Sequence, residues 1–142
     1  MRAYVINLAR SLDRRAHITA ELKKTGLDYE IVTGVDGRDL DLHDATSIDP
    51  SFLTRIVCPA GSAGAALSHQ SVYRKIIADG VDKALVLEDD AILPADLGSL
   101  ADAVADQLTG AEVALLSVDS PDLFTMSLEG SGAVWPVVRA ST

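Results

Sequence analysis

Cysteine is all but missing. Cys58 is the single one in 142 residues, so no disulfide can form within the chain, which suits a reducing cytoplasm. No apolar run approaches the roughly 18 residues that a membrane-spanning helix needs. The N-terminus carries only Arg2 before a short apolar run that turns charged at Arg10, and it is not expected to be a secretion signal. Positive charge is scarce as well. The 12 Lys and Arg residues face 21 Asp and Glu, a net charge of −9, and such a surface would repel nucleic-acid phosphates. Internal repeats and low-complexity linkers are lacking. Apolar residues are plentiful at 48%, which argues against disorder. The length suits a single domain, residues 1–142, with a real core.

The chain is organised around Ala84-Leu85-Val86-Leu87-Glu88-Asp89-Asp90-Ala91-Ile92-Leu93. Apolar residues run straight into three carboxylates, with Gly80 before and Pro94 after. The apolar part reads as a strand buried on both faces. Unpaired charges are too costly to bury, so the acids belong where the strand leaves the sheet, the end at which open α/β sheets bind ligands. Clustered carboxylates suit a hard divalent cation, which in nucleotide enzymes takes one or two of them plus substrate phosphates. A solvated acidic turn is the plainer alternative, and this stretch alone leaves both open.

Around that stretch the elements alternate. Ala3–Leu8 reads as a first strand, with polar Asn7 near its end. Ser11 can cap a helix that places Leu12, Ile18 and Leu22 on one face and stops at Gly26. Tyr29–Val32 reads as a second strand, so a βαβ unit and a parallel sheet follow. Gly34-Val35-Asp36-Gly37 comes at its end. Asp36 is placed either to meet ribose or base or to make a plain Asp-Gly turn, and the glycines beside it let backbone approach a ligand closely.

The polar segment from Leu40 to Pro59 suggests a surface excursion with one helical turn over Ser51–Ile56. A helix capped by Ser62 runs to Gly80 and carries Ser68 and His69. Its glycine-rich start could take an anion on free N–H groups or serve close packing. After the acids, a helix over Pro94–Leu108 sets Leu97, Leu100, Val104 and Leu108 on one face. Val113–Val118 reads as a further buried strand ending at Asp119, and Pro136 marks a last strand near the C-terminus as an edge. The basic residues Arg10, Arg14, Arg15, Lys23 and Lys24 cluster early. They suit phosphates or an anionic membrane surface, or simply form a mixed solvated helix face.

Four motifs thus stand in order. They are Val5-Ile6-Asn7-Leu8 with Arg14-Arg15 behind it; Gly34-Val35-Asp36-Gly37; Gly61-x-x-Gly64-x-x-Leu67-Ser68-His69 with Tyr73-Arg74-Lys75; and Leu85-Val86-Leu87-Glu88-Asp89-Asp90. Across roughly residues 2 to 93 the series resembles glycosyltransferase family 25, the lipopolysaccharide-type enzymes that include collagen galactosyltransferases. The resemblance implies a GT-A fold: a Rossmann-like α/β domain with a mostly parallel sheet flanked by helices, here cut short on its C-terminal side. It implies a UDP-sugar donor, a divalent metal (Mn2+ or Mg2+) at an Asp-x-Asp-type motif, and an inverting transfer of a hexose such as galactose. The acceptor would be a glycan or lipid-linked glycan such as lipopolysaccharide.

Carried over residue by residue, Asp90 contacts the metal and diphosphate. Glu88 or Asp89 reaches the ribose or a metal-bound water, with Glu88 a second metal ligand. Asn7, Arg14, Asp36 and Ser68 lie on the nucleotide side, and His69 matches the family's Ser-His pair. Asp119 is a candidate catalytic base, with a structural turn acid as its alternative. The expected setting is cytoplasmic, peripheral at the inner face of the membrane. Members of the family run further past this point with acceptor-side residues. The expectation is therefore a fragment, a short homologue completed by homo-oligomerisation, or a nucleotide-sugar-binding domain without turnover. A signalling receiver-like domain fits poorly, because it needs acids after strand one, where Asn7-Leu8 stands.

Overall fold

The computed structural model describes residues 1–40, 60–108, 113–114, 125–127 and 134–138. These fall in two compact units, Met1–Pro94 and Ala95–Thr142. The first unit holds β1 (Arg2–Asn7), α1 (Leu12–Thr25), β2 (Asp28–Thr33), a short 3-10 turn (Gly37–Asp39), α2 (Ala60–Ala78) and β3 (Ala84–Glu88). Its sheet is all parallel in the order β2-β1-β3. The sequence-based expectation of a parallel α/β layer is met.

Strand alternation sorts the core onto two faces of β1. Tyr4 and Ile6 point to one side and pack with Val72 of α2, backed by Val32, Ile76 and Val86. Val5 points to the other and packs with Ile18 and Leu22 of α1, backed by Tyr29, Ile31 and Leu87. Each fully buried side chain of this size stabilises by about 1.5–3 kcal/mol. A helix on either face of a three-stranded sheet is therefore enough to build a core.

β1 takes the buried central place that the apolar run of β3 had suggested for itself. Within β3 only Leu85 is buried, and its neighbours are half-buried or exposed; among the described residues β3 pairs with one strand where β1 pairs with two. Leu12 also departs from expectation. It is 69% exposed, since the first helical residue lies ahead of the stripe set by Ile18 and Leu22. Gly26 closes α1 in the left-handed region at φ 69°, as a C-cap glycine does. Ser11 makes no side-chain cap; instead its carbonyl accepts from the Asn7 side chain at 3.1 Å. Ser62 lies inside α2, which has already begun at Ala60.

The amino ends of the strands carry an ionic cluster. Arg2 meets Glu30 at 2.9 Å and Asp28 at 3.5 Å, and Lys75 meets Glu30 at 3.1 Å and Asp79 at 3.2 Å. The buried Tyr4 hydroxyl donates to Asp79 at 2.7 Å.

The second unit holds α3 (Leu97–Gln107) and an antiparallel sheet of β4 (Val113–Ala114), β5 (Thr125–Ser127) and β6 (Val134–Val138), in the order β4-β6-β5. α3 buries Leu97, Ala101, Val104 and Ala105, a 3.6-residue stripe that leaves Leu100 and Leu108 only half-buried. The strand that starts at Val113 pairs antiparallel with β6. One expectation changes here. Pro136 lies in the middle strand rather than at an edge. Among the described residues β4 pairs with Val137 and Val138, and Pro136 pairs with Thr125 of β5. The helical turn expected over Ser51–Ile56, Cys58 and Asp119 lie outside the described residues.

Candidate functional site

Parallel pairing brings three strand ends to one edge. Asn7 sits opposite Thr33, and Ile6 opposite Glu88. At that edge the acidic trio divides by environment. The Glu88 and Asp90 side chains are 61% and 60% exposed, whereas Asp89 is buried. Burial of Asp89 is permitted because both of its oxygens have partners: Asn7 Nδ2 donates to Oδ2 at 2.7 Å, and Arg14 donates to Oδ1 at 3.2 Å. The rule that ejects acids from a core applies to unpaired charge, and Asp89 is paired. Arg14 extends to Asp90 at 3.3 Å. The hydrogen bond to Asp89, then the charges of Asp89 and Asp90, push the guanidinium further above its ordinary range.

The facing wall is the turn after β2. Asp36 caps the 3-10 turn by accepting from Arg38 N–H at 3.1 Å. It also accepts from the guanidinium of Arg38 at 2.7 Å and from Arg10 Nε at 2.6 Å. These bonds, chiefly those from Arg38 and then that from Arg10, hold the Asp36 carboxyl far below the usual carboxylate range. α2 leans closely on this turn. A Cβ on Gly37 would meet the Ala60 carbonyl oxygen at 1.8 Å, and one on Gly64 would meet Gly37 N and Val35 O at 2.7 Å. The glycines thus serve backbone-on-backbone packing. Ser68 pins the junction: its buried hydroxyl donates to Gly64 O at 2.7 Å and accepts from Val35 N–H at 2.8 Å.

His69 follows on α2 and faces the acids. Its Nε2 lies 3.2 Å from Glu88 Oε1, and the Tyr73 hydroxyl lies 3.4 Å from Nδ1.

Between these walls lies a cleft of about 200 Å³. β1 and the chain after it contribute Ile6, Leu8, Arg10 and Arg14; the turn after β2 contributes Val35, Asp36, Gly37 and Arg38. α2 adds Gly61, Ala65, Ser68 and His69, and the end of β3 adds Glu88 and Asp89. Small-molecule sites commonly run to roughly 300–1,000 Å³. This space is smaller than that and suits a small group or part of a larger ligand.

The expected site residues Arg14, Asp36, Ser68, His69, Glu88 and Asp89 all line this cleft, with Asn7 buried behind Asp89. Asp90 is outside the lining and reaches the cleft's chemistry through Arg14. Among the described residues, no three His, Cys, Asp or Glu side chains converge as a metal cage. The donor set does fit a hard cation of another kind. Glu88 and Asp90 are exposed carboxylates, the donor type that a hard divalent cation takes together with phosphates and water.

Arg10 and Arg38 are the cleft residues that reading by motif missed. Arg38 carried a local signal, sitting two residues after Asp36 in the same turn. Arg10 stood out only as one of the early basic residues suited to phosphates, and its partner Asp36 lies 26 residues away.

Comparison with known proteins points the same way. The family described as "Glycosyltransferase family 25 (LPS biosynthesis protein)" matches residues 1–128. A "Glycosyltransferase 25 family member" of Aedes aegypti is 35% identical over 94 residues, which is 61% of this chain and 16% of that relative. The human "Procollagen galactosyltransferase 2" is 32% identical over 94 residues, 61% of this chain and 15% of the relative. The mouse "Inactive glycosyltransferase 25 family member 3" is 31% identical over 94 residues, 61% of this chain and 16% of the relative. The matches span only about 16% of the length of these curated relatives. Every segment that walls the cleft falls inside the family match, and the chain belongs to glycosyltransferase family 25.

Proposed function

We propose that the chain carries the donor-binding part of a metal-assisted, inverting glycosyltransferase. It would move a hexose, galactose first among them, from a UDP-sugar to a cell-surface glycan such as lipopolysaccharide. The observation that carries this reading is the acidic turn after β3, whose Glu88 and Asp89 line a cleft shared with three arginines. A relative named as a procollagen galactosyltransferase supports the choice of sugar.

The chain's own residues divide the work. Glu88 and Asp90 would hold Mn2+ or Mg2+. A bound divalent cation supplies Lewis-acid stabilisation of the charge on a departing diphosphate. Asp89 is locked by Asn7 and Arg14, so it fixes the turn that aims its neighbours. Ser68 sets the turn after β2 through Val35 N–H. His69 orients Glu88 from the opposite wall. An acceptor hydroxyl needs a base to take its proton, and His69 and Asp119 are the candidates. The proposed setting is cytoplasmic and peripheral to a membrane, with no nucleic-acid partner and with homo-oligomerisation as one route to an acceptor site. No helix among the described residues is long and apolar enough to cross a membrane.

Titration calorimetry tests the donor reading. UDP should bind at least roughly tenfold more tightly with Mn2+ than without it, and Asp90→Ala should abolish that gain. Binding indifferent to Mn2+, or no binding, would contradict it.

A second reading is a nucleotide-sugar-binding domain without turnover, favoured by the similarity to relatives named as inactive. It predicts UDP binding with neither sugar transfer nor donor hydrolysis across an acceptor panel.

A further inference from the structure

Asp36 has the place of a ribose ligand but the bonding of a clamp. A carboxylate offers about four lone-pair sites. Here one oxygen takes Arg10 Nε at 2.6 Å and an Arg38 terminal nitrogen at 2.7 Å, while the other takes Arg38 Nε and N–H, both at 3.1 Å. Those sites are filled, and none is left for a sugar hydroxyl.

The arginines are not used up in return. Arg10 spends only Nε on Asp36, and Arg38 keeps one terminal nitrogen without a partner among the described residues. Their side chains are 49% and 66% exposed, against 15% for the carboxylate between them. Both line the cleft, beside Gly61 in the first turn of α2. Two guanidinium groups share this one carboxylate, and the charge of Asp39 also acts on Arg38. Planar forks of this kind match phosphate oxygens.

We propose that Asp36 is a positioning residue that fixes Arg10 and Arg38 as a paired guanidinium fork for the donor's diphosphate. The inference rests on the donor reading and deepens it. In that reading the diphosphate would meet a cation held by Glu88 and Asp90 and the guanidinium groups held by Asp36. Asp36 thus reaches the nucleotide through the arginines.

Two titrations test the fork: inorganic pyrophosphate in metal-free buffer, followed by NMR, and UDP with saturating Mn2+, followed by calorimetry. Arg10→Gln and Arg38→Gln should each weaken both ligands by roughly tenfold or more, while uridine is unaffected. Asp36→Asn removes a negative charge from beside an anion. A bystander acid would then let pyrophosphate bind more tightly, whereas a positioning acid makes it bind roughly tenfold more weakly. Thermal melting shows whether Asp36→Asn is folded; if it is not, the two exposed arginine variants carry the test. Wild-type UDP affinity retained in both arginine variants, or tighter pyrophosphate binding by folded Asp36→Asn, would overturn the fork and leave the donor reading standing. Arginine-dependent pyrophosphate binding without UDP binding would sink the donor reading and leave the fork.

Discussion

Asn7 and Asp89 lie 82 residues apart in the chain and share a buried hydrogen bond of 2.7 Å. The bond ties the end of the central strand to the middle residue of the acidic turn. The same Asn7 amide donates to Ser11 O at 3.1 Å, so one side chain registers β1, the start of α1 and the acids together. Asn7→Ala should destabilise the fold by about 1.5–3 kcal/mol, the worth of a hydrogen bond to a charged group, read as a lower urea midpoint. An unchanged midpoint would mean that Asp89 is carried by Arg14 alone.

Ser68 makes a similar prediction on the opposite wall. Ser68→Ala strips Val35 N–H of its acceptor and should cost about 1–3 kcal/mol. Because Val35 precedes Asp36, UDP affinity should fall in the same variant. Lost stability with UDP affinity intact would confine Ser68 to a structural role.

The glycines separate more sharply. Gly37→Ala drives a methyl group to 1.8 Å from the Ala60 carbonyl oxygen, and backbone on both sides cannot yield cheaply. The expected loss is about 3 kcal/mol, at the upper end for overpacking. A Cβ on Gly61 meets nothing within 4 Å. Gly61→Ala should therefore be neutral or stabilise by up to about 1 kcal/mol through helix propensity. Equal melting temperatures for the two variants would refute the close approach of α2 to the turn.

Much of this architecture was legible beforehand, for a physical reason. Periodicity reports burial, so β1, α1, β2, α2 and β3 could be read from spacing, and the end of β3 marked the acids. What could not be read was pairing between distant residues. Nothing near Asp89 announces Asn7, and nothing near Asp36 announces Arg10. The acidic trio therefore looked uniform where the fold makes one member buried and two exposed. The same blindness placed Pro136 at an edge, because a strand's neighbours are not written in its own residues.

The amino-end cluster predicts a pH response. The Asp79 carboxyl is held below its ordinary value of 3.8, first by the Tyr4 hydroxyl and then by Lys75. A carboxyl depressed in the folded state binds fewer protons than in the unfolded chain. Its stabilising contribution is full above pH 3.8 and is lost as pH falls through the lower folded value. Tyr4→Phe removes the main cause, so the melting temperature should fall less steeply below about pH 4 in this variant than in wild type. Parallel acid limbs for the two proteins would show that the hydroxyl does not depress Asp79.

The most direct measurement is a crystal of the protein soaked with UDP and Mn2+, with an anomalous difference map recorded for manganese. The prediction is a manganese peak beside Glu88 and Asp90, with diphosphate density running from it toward Arg10 and Arg38. A cleft without ligand density at saturating UDP, or a nucleotide bound elsewhere with Glu88 and Asp90 in unchanged contacts to His69 and Arg14, would contradict the donor-site reading.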